Sequence, residues 1–334
     1  MNLTVVVTTI QRPTPALQHL AFQLKSGRDR LIVVGDRKGP DHFELAGSQF
    51  LDLAWQIASR YALARMLPVG HYARKNIGYL EAIRLRAPCI YETDDDNAPG
   101  PSWALRSPNV PVRSVQAQGW VNVYRCFSSQ LIWPRGLPLD EIVRQGAASP
   151  ALEPAERTVN APIQQGLADL SPDVDAVWRL VLDATFQFDR GPSIHLPRGA
   201  WCPFNSQSTW WWPEVYPLLY LPSHCSFRMT DIWRSFVAQR CLWELGHGLV
   251  FHAPEVVQDR NPHDLMRDFN DEIPGYLRNR ELARVLEGLS LQGGSANVGA
   301  NLRVCYAALV DHEFLPVAEL SLLDAWRADL ERLV

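Results

Sequence analysis

Three short apolar runs constrain the fold of this chain more than anything else in it. "LTVVVTTI" (3–10), "RLIVVGD" (30–36) and "PCIYETD" (88–94) are rich in β-branched or aromatic residues, and each ends in polar ones. Runs of this kind predict strands buried on both faces. Between them, "PTPALQHLAFQL" (13–24), "FLDLAWQIASRYALARML" (50–67) and "RKNIGYLEAIRLRA" (74–87) carry apolar residues at helical spacing. In the last, Ile77, Leu80, Ile83 and Ala87 share one face. Strands alternating with helices across short links predict a parallel sheet with helices on its faces. Such sheets bind ligands beyond the carboxyl ends of their strands. Those ends are "TTIQRPT", "GDRKGPD" and "ETDDDN", and they should converge on one rim.

The third end poses a chemical problem. Asp94, Asp95 and Asp96 are adjacent, and three carboxylates repel one another unless a cation sits among them. If the strand continues through them, Asp94 and Asp96 point together and Asp95 points away. Two hard oxygen ligands with open positions beside them suit Mg²⁺ or Mn²⁺. A solvated acidic turn is the plainer alternative. Cations stand nearby in "HYARKNIGY", where Arg74, Lys75 and Asn76 open a helix. The helix dipole disfavours cations there, so either an anionic ligand explains them or they are a surface pair with buried stems. Asp36 and Lys38, after the second strand, either touch a base or phosphate or cap a turn.

The rest of the chain is less regular. Residues 100–215 are rich in turns, with "GWVNVYRCF" (119–127) strand-like and "RQGAASPALEPAERTVNAPIQQG" (144–166) a long loop. "TDIWRSFVAQRCLWEL" (230–245) reads as a helix, "GLVFHAPEVV" (248–257) as a strand, and the chain beyond about 262 as helical. This divides the chain into residues 1–265 and a helical C-terminal region, 266–334. Asp231 and Arg234 lie one turn apart. Asp231 suits an N-cap, and Arg234 suits a partner to it or a diphosphate contact. Four of the 12 tryptophans fall in "WCPFNSQSTWWW" (201–212). Asn205, Gln207 and Trp210, with Trp133 and Arg135 of "WPRG", suit a sugar-stacking acceptor surface, or else a tryptophan-rich core corner.

Composition excludes several classes. With Lys+Arg 32 against Asp+Glu 36 and a net charge of −4, no basic excess points to nucleic acid. The six cysteines form no CxxC, a pattern of reduced thiols and not of a zinc site or disulfide framework. No run approaches the ~20 apolar residues of a membrane span. The N-terminus has no charged leader, so a cytoplasmic chain, at most peripheral at the inner membrane face, is expected.

Nine blocks, in order, resemble the STELLO-type glycosyltransferase family of plants and its relatives. They are "VVVTTIQRPT", "IVVGDRKGP", "YARKNIGYLEAI", "IYETDDDN", "IWPRGLPL", "IQQGLADLSPDVDAVWRL", "PFNSQSTWWW", "LPSHCSFRMTDIWRSFVAQR" and "QDRNPHDLMRDF". The resemblance spans about residues 3–275, and more distantly touches the reversibly glycosylated polypeptides. It implies a GT-A fold, a mixed α/β sheet flanked by helices, in which Asp94–Asp96 replaces the metal-binding DxD motif. Thr8, Thr9, Arg12 and Asp36 would then frame the nucleoside, Asp94 the ribose, and Asp96 the metal. Asp95 is not separable from these roles. The resemblance also makes residues 1–100 the nucleotide-binding half and 101–265 the acceptor half. It puts Asp231 where such folds often place a base or acceptor-contacting acid: in an inverting transfer Asp231 would deprotonate the acceptor hydroxyl, and in a retaining one the leaving phosphate would serve as base and Asp231 would position substrate. A late histidine often completes the metal site; His252 and His263 are the candidates, and His263 is preferred beside Arg260 and Asn261. The implied activity is metal-dependent transfer of a sugar from a nucleotide diphosphate sugar to a glycan or lipid-linked acceptor, with a role in polysaccharide biosynthesis. A nucleotide-sugar mutase and a non-catalytic scaffold of glycan assembly are the alternatives. Plant STELLO proteins carry a membrane anchor, which is not seen in this sequence.

Overall fold

The computed structural model describes residues 2–24, 29–40, 42–146, 148–260 and 264–333. The chain begins β1 (Thr4–Thr8), α1 (Pro15–Gln23), β2 (Arg30–Val34), β3 (Ser48–Leu51), α2 (Leu53–Ala58), α3 (Ala62–Met66), α4 (Lys75–Arg84) and β4 (Ile90–Thr93). There follow β5 (Asn97–Pro99), β6 (Asn109–Ser114), β7 (Gly119–Trp120), α5 (Leu139–Gln145), β8 (Arg157–Asn160), β9 (Ile163–Asp169) and α6 (Ala176–Leu182). Then come β10 (Ile194–Leu196), β11 (Ala200–Trp201), β12 (Ser208–Trp211), α7 (Thr230–Glu244) and β13 (Leu249–Gln258). Three helices close the chain: α8 (Leu265–Glu287), α9 (Val298–Asp311) and α10 (Ala318–Glu331).

The main sheet runs β3-β2-β1-β4-β12-β9-β13-β10-β6-β8, with β5 beside β13; β7 and β11 pair separately. β1 to β4 pair in parallel, whereas β12 lies antiparallel to both β4 and β9. The alternation of side chains along β1 divides the core. Val6 packs with Ile32, Val34 and Ile77 on one face. Val5 and Val7 pack with Leu17 and Leu20 of α1 on the other. Burial on both faces accounts for the unbroken apolar run.

Gly78 sets the height of α4 above the sheet. A Cβ there would lie 2.6 Å from Val6 Cγ1 and 2.7 Å from Val34 Cγ2. The close approach lets Lys75, one turn earlier, reach the end of β4, where its Nζ donates to the Thr93 carbonyl at 2.8 Å.

Three sequence expectations are corrected. The helix over 50–67 is β3 followed by two short helices, because Asp52 caps α2 through the Trp55 N–H and Ser59 turns extended. "GWVNVYRCF" holds a two-residue strand and a 3₁₀ turn at Val123–Cys126. The long loop at 144–166 contains β8 and the start of β9, a fully buried strand between β12 and β13.

The C-terminal helices share the main core with the sheet through Leu282, Leu302, Tyr306 and Trp326. Buried carboxylates also fasten them to the first half. Asp329 accepts from the N–H groups of Ala62 and Leu63 at 3.0 and 2.9 Å, capping α3. Glu319 accepts from the N–H groups of Ser223 and His224 and from the Tyr220 hydroxyl.

Candidate functional site

The three polar strand ends do meet. Thr8 and Thr9 at the end of β1, Asp36 and Lys38 after β2, and Asp94–Asp96 after β4 line one cavity of about 690 Å³. Arg135, Asn205, Gln207, Asp231 and Arg260 line the same cavity. Arg12 is exposed and outside that lining.

Asp95 and Asp96 form a turn and do not continue the strand, so the alternating geometry expected of them does not arise. All three carboxylates border the cavity instead, each with its own partners. Asp94 accepts from the Tyr72 hydroxyl at 2.9 Å and pairs with Lys75 at 3.3 Å. Asp95 accepts from the Thr9 hydroxyl at 2.5 Å. Asp96 accepts from the side-chain amides of Gln258 and Asn97 at 3.1 Å. Lys75, fully buried, is therefore the cation that offsets the first aspartate. Asp96 has only amides, and burial with Asp94 and Asp95 pushes its carboxyl up to about 7. Burial also raises Asp94 and Asp95.

This donor set fits a divalent cation in part. Two carboxylates on a cavity wall, underneutralised and hard, are the ligands Mg²⁺ and Mn²⁺ prefer. Among the described residues, no three His, Cys, Asp or Glu side chains converge as a complete cage. His263 lies outside the described residues. His252 is a core residue, bonded to Ser193 and Gln164, and burial holds it neutral.

Several candidates are committed to the scaffold. Arg74 donates to Gln56 Oε1 at 2.7 Å and to the Ala64 and Leu67 carbonyls, holding the turn between α3 and α4. Asn76 exchanges hydrogen bonds with the Leu221 backbone. Arg234 forms a bidentate pair with Glu92 at 2.9 and 2.7 Å and lies over the Trp211 ring, away from the cavity. Trp210 is 0% exposed and donates to Glu255, and Trp133 donates to Asp175; neither lines the cavity. The tryptophan-rich stretch is thus core, filled because β12 crosses the middle of the sheet. Asp36 accepts from the Gly70 and His71 N–H groups at 2.9 Å, joining the β2 loop to the entry of α4.

Among the other lining residues, Asn205 accepts from Gln165 at 2.7 Å, and Gln207 donates to Gln258 at 2.7 Å. Asp231 accepts from Arg135 twice, at 3.0 Å, and from the Ser206 N–H and hydroxyl at 3.2 Å. Burial opposes its ionisation, but Arg135 outweighs burial and holds the carboxyl down at about 2. Arg135 is itself saturated, since it also grips Asp173 at 2.8 and 2.9 Å.

Sequence reasoning missed Tyr72 and Ser206. Their hydroxyls, 2.6 Å apart, link Asp94 to Asp231 across the cavity floor. Both stand inside blocks quoted above, but nothing local distinguishes either from a packing residue. Gln258, Asp173, Arg179 and Arg228, which also border the cavity, were missed in the same way.

Parallel leading strands, an antiparallel strand crossing beside them and a carboxylate turn at their rim place this protein in the GT-A-like α/β class. The chain is related to the STELLO-type glycosyltransferases. The family model for STELLO glycosyltransferases matches residues 228–334. The probable glycosyltransferase STELLO1 of Arabidopsis thaliana is 30% identical over 270 residues, covering 75% of this chain and 34% of that protein. The probable glycosyltransferase STELLO2 of the same plant is 30% identical over 277 residues, covering 75% and 35%. The chain thus spans about a third of the length of these curated relatives. The likeness read from the nine blocks is borne out, and the family match carries it past residue 275 through α8, α9 and α10. A solved mycobacterial protein covers 94% of this chain and 76% of its own at 11% identity and a TM-score of 0.41, too distant to bear on function. No helix among the described residues is long and apolar enough to cross a membrane.

Proposed function

We propose that this protein transfers a sugar from a nucleotide diphosphate sugar to a glycan or lipid-linked acceptor, within polysaccharide biosynthesis. The observation that carries the reading is the carboxylate turn Asp94–Asp96, facing a cavity walled by the ends of β1 and β2. Thr8, Thr9 and Lys38 would meet the nucleoside, with Asp36 bracing the loop beside them through the Gly70 and His71 N–H groups. Asp94 and Asp96 would hold Mn²⁺ or Mg²⁺, whose charge offsets that of the departing diphosphate. The likeness to named glycosyltransferases supports the same reading.

Transfer breaks the bond from the sugar's anomeric carbon to the diphosphate and forms one to an acceptor oxygen, which gives up a proton. Asp231, held at about 2 by Arg135, is too weak a base to take that proton near neutrality. Its place is to orient Arg135 and Ser206, and the departing diphosphate oxygen receives the proton.

The test is thermal unfolding of the native chain and of Asp96→Ala with a panel of nucleoside diphosphates, each with and without Mn²⁺. Ligand at about 100 times Kd adds roughly 2.7 kcal/mol. A Mn²⁺-dependent shift with one nucleotide, absent in the variant, is the expected result, and no shift with any nucleotide defeats the reading. Incubation with nucleotide sugar alone separates the rival chemistry: a ring-isomerised product without acceptor means a mutase.

A further inference from the structure

The arginines that border the cavity are unevenly paired with the acids around them. Arg135, Arg179, Arg228 and Arg260 all border the cavity. Asp173 and Asp231 are gripped by Arg135. Glu272 pairs with Arg228 at 2.7 Å, and Asp268 with Arg260 at 2.8 Å. Arg179 is left over. It is 7% exposed, donates from Nη2 to the Pro172 carbonyl at 2.7 Å, and its buried Nε–H has no hydrogen-bond partner among the described residues. Burial, and next the nearby Arg260, bring its guanidinium down to about 10. A buried guanidinium with an unspent N–H and cationic neighbours is costly unless an anion joins it. The planar fork of arginine matches phosphate or carboxylate oxygens.

We propose that Arg179, Arg228 and Arg260 form a recognition site for a phosphate or carboxylate group carried by the acceptor substrate. The inference rests on the transferase reading for the word acceptor and names that acceptor's chemical class. The site is set apart from the donor turn. The charges acting most strongly on Asp94–Asp96 are Lys75, Asp231 and one another, whereas those acting on Arg179 are Arg260, Asp173 and Arg228. Arg135 bridges Asp231, whose charge acts on Asp94, to Asp173, whose charge acts on Arg179. The two groups still share one cavity, because Gln258, two residues before Arg260, touches Asp96. An acceptor held by its anion would lie alongside the donor.

Inorganic phosphate is the probe, titrated calorimetrically into the native chain, R179Q and R260Q at constant ionic strength. The titration is repeated with nucleoside diphosphate and Mg²⁺ at saturation. The expected result is phosphate binding that weakens at least tenfold in R179Q and R260Q and persists when the nucleotide is bound. Nucleotide affinity should be unchanged in both variants. Removing a buried unpaired charge should not lower the melting temperature of phosphate-free R179Q, which keeps that variant informative. Equal phosphate affinity in R179Q and the native chain overturns the proposal. So does nucleotide that expels phosphate and itself binds tenfold more weakly to R179Q, for then the arginines grip the donor's diphosphate. If no nucleotide binds while Arg179-dependent phosphate binding remains, the transferase reading fails and the anion site stands.

Discussion

Replacing Arg234 with methionine should cost stability before it costs chemistry. Arg234 and Glu92 are 1% and 0% exposed in their side chains and meet through two hydrogen bonds at 2.9 and 2.7 Å. The guanidinium also lies 4.9 Å from the Trp211 ring centre. Methionine keeps much of the packing volume but leaves the Glu92 carboxylate in the core. The Tyr79 hydroxyl and Trp211 Nε1–H still donate to it, yet neither brings a charge. Breaking one side of a buried pair costs about 3–5 kcal/mol, most of it from the stranded charge. Glu92→Gln alone strands the arginine and should cost a similar amount. The double variant removes both charges, so its loss should fall well below the sum, with a coupling of about 2–3 kcal/mol. Urea unfolding of the native chain, both single variants and the double variant reads this directly. A loss under about 1 kcal/mol for Arg234→Met, or strictly additive losses in the double variant, would refute the reasoning. Full stability with abolished sugar transfer would instead restore the catalytic role that the sequence suggested for Arg234.

Other expectations are independent of this one. Tyr72→Phe removes the hydroxyl that holds Asp94 and meets Ser206, and loss of such an outer contact typically weakens metal affinity about 10–100-fold. Mn²⁺-dependent nucleotide affinity should drop accordingly, and an unchanged affinity would remove Tyr72 from the site. Asp329→Ala uncaps α3 and should cost about 1–2 kcal/mol in urea unfolding, with no change in nucleotide binding. His195 provides a pH signature. Burial, with Arg157 beside it, lowers its folded pKa to about 4, while the unfolded chain binds the proton near 6.5. Its contribution is therefore present above about pH 6.5 and is lost as pH falls towards 4, by about 3 kcal/mol in all. The stability difference between the native chain and His195→Gln should shrink between pH 7 and 4.5; a constant difference would refute the assignment.

β1, β2 and β4 were legible because strands buried on both faces are usually rich in β-branched and aromatic residues, and local composition shows that directly. The acidic turn was legible for the opposite reason: three adjacent carboxylates are an electrostatic anomaly that calls for a partner. β9 was not legible. Its first residues, "IQQG", read as the end of a loop, yet Gln164 and Gln165 are buried because Ser107, Ala161 and Asn205 satisfy their amides. The same limit hid the split of the 50–67 helix, where one capping aspartate outweighs the helical spacing of apolar residues around it. It also left Arg234 and Trp210 looking like cavity residues, since a charge or an indole in sequence does not disclose what it will face.

Sequence alone determined the rim: which segments end there and which charges they bring. Only the tertiary structure decided which of those charges remain available. Lys75 is taken up by Asp94 and Arg135 by two aspartates, while the Arg179 Nε–H has no hydrogen-bond partner among the described residues. Whether a charge is spent depends on distances between residues far apart along the chain, and packing alone sets those distances.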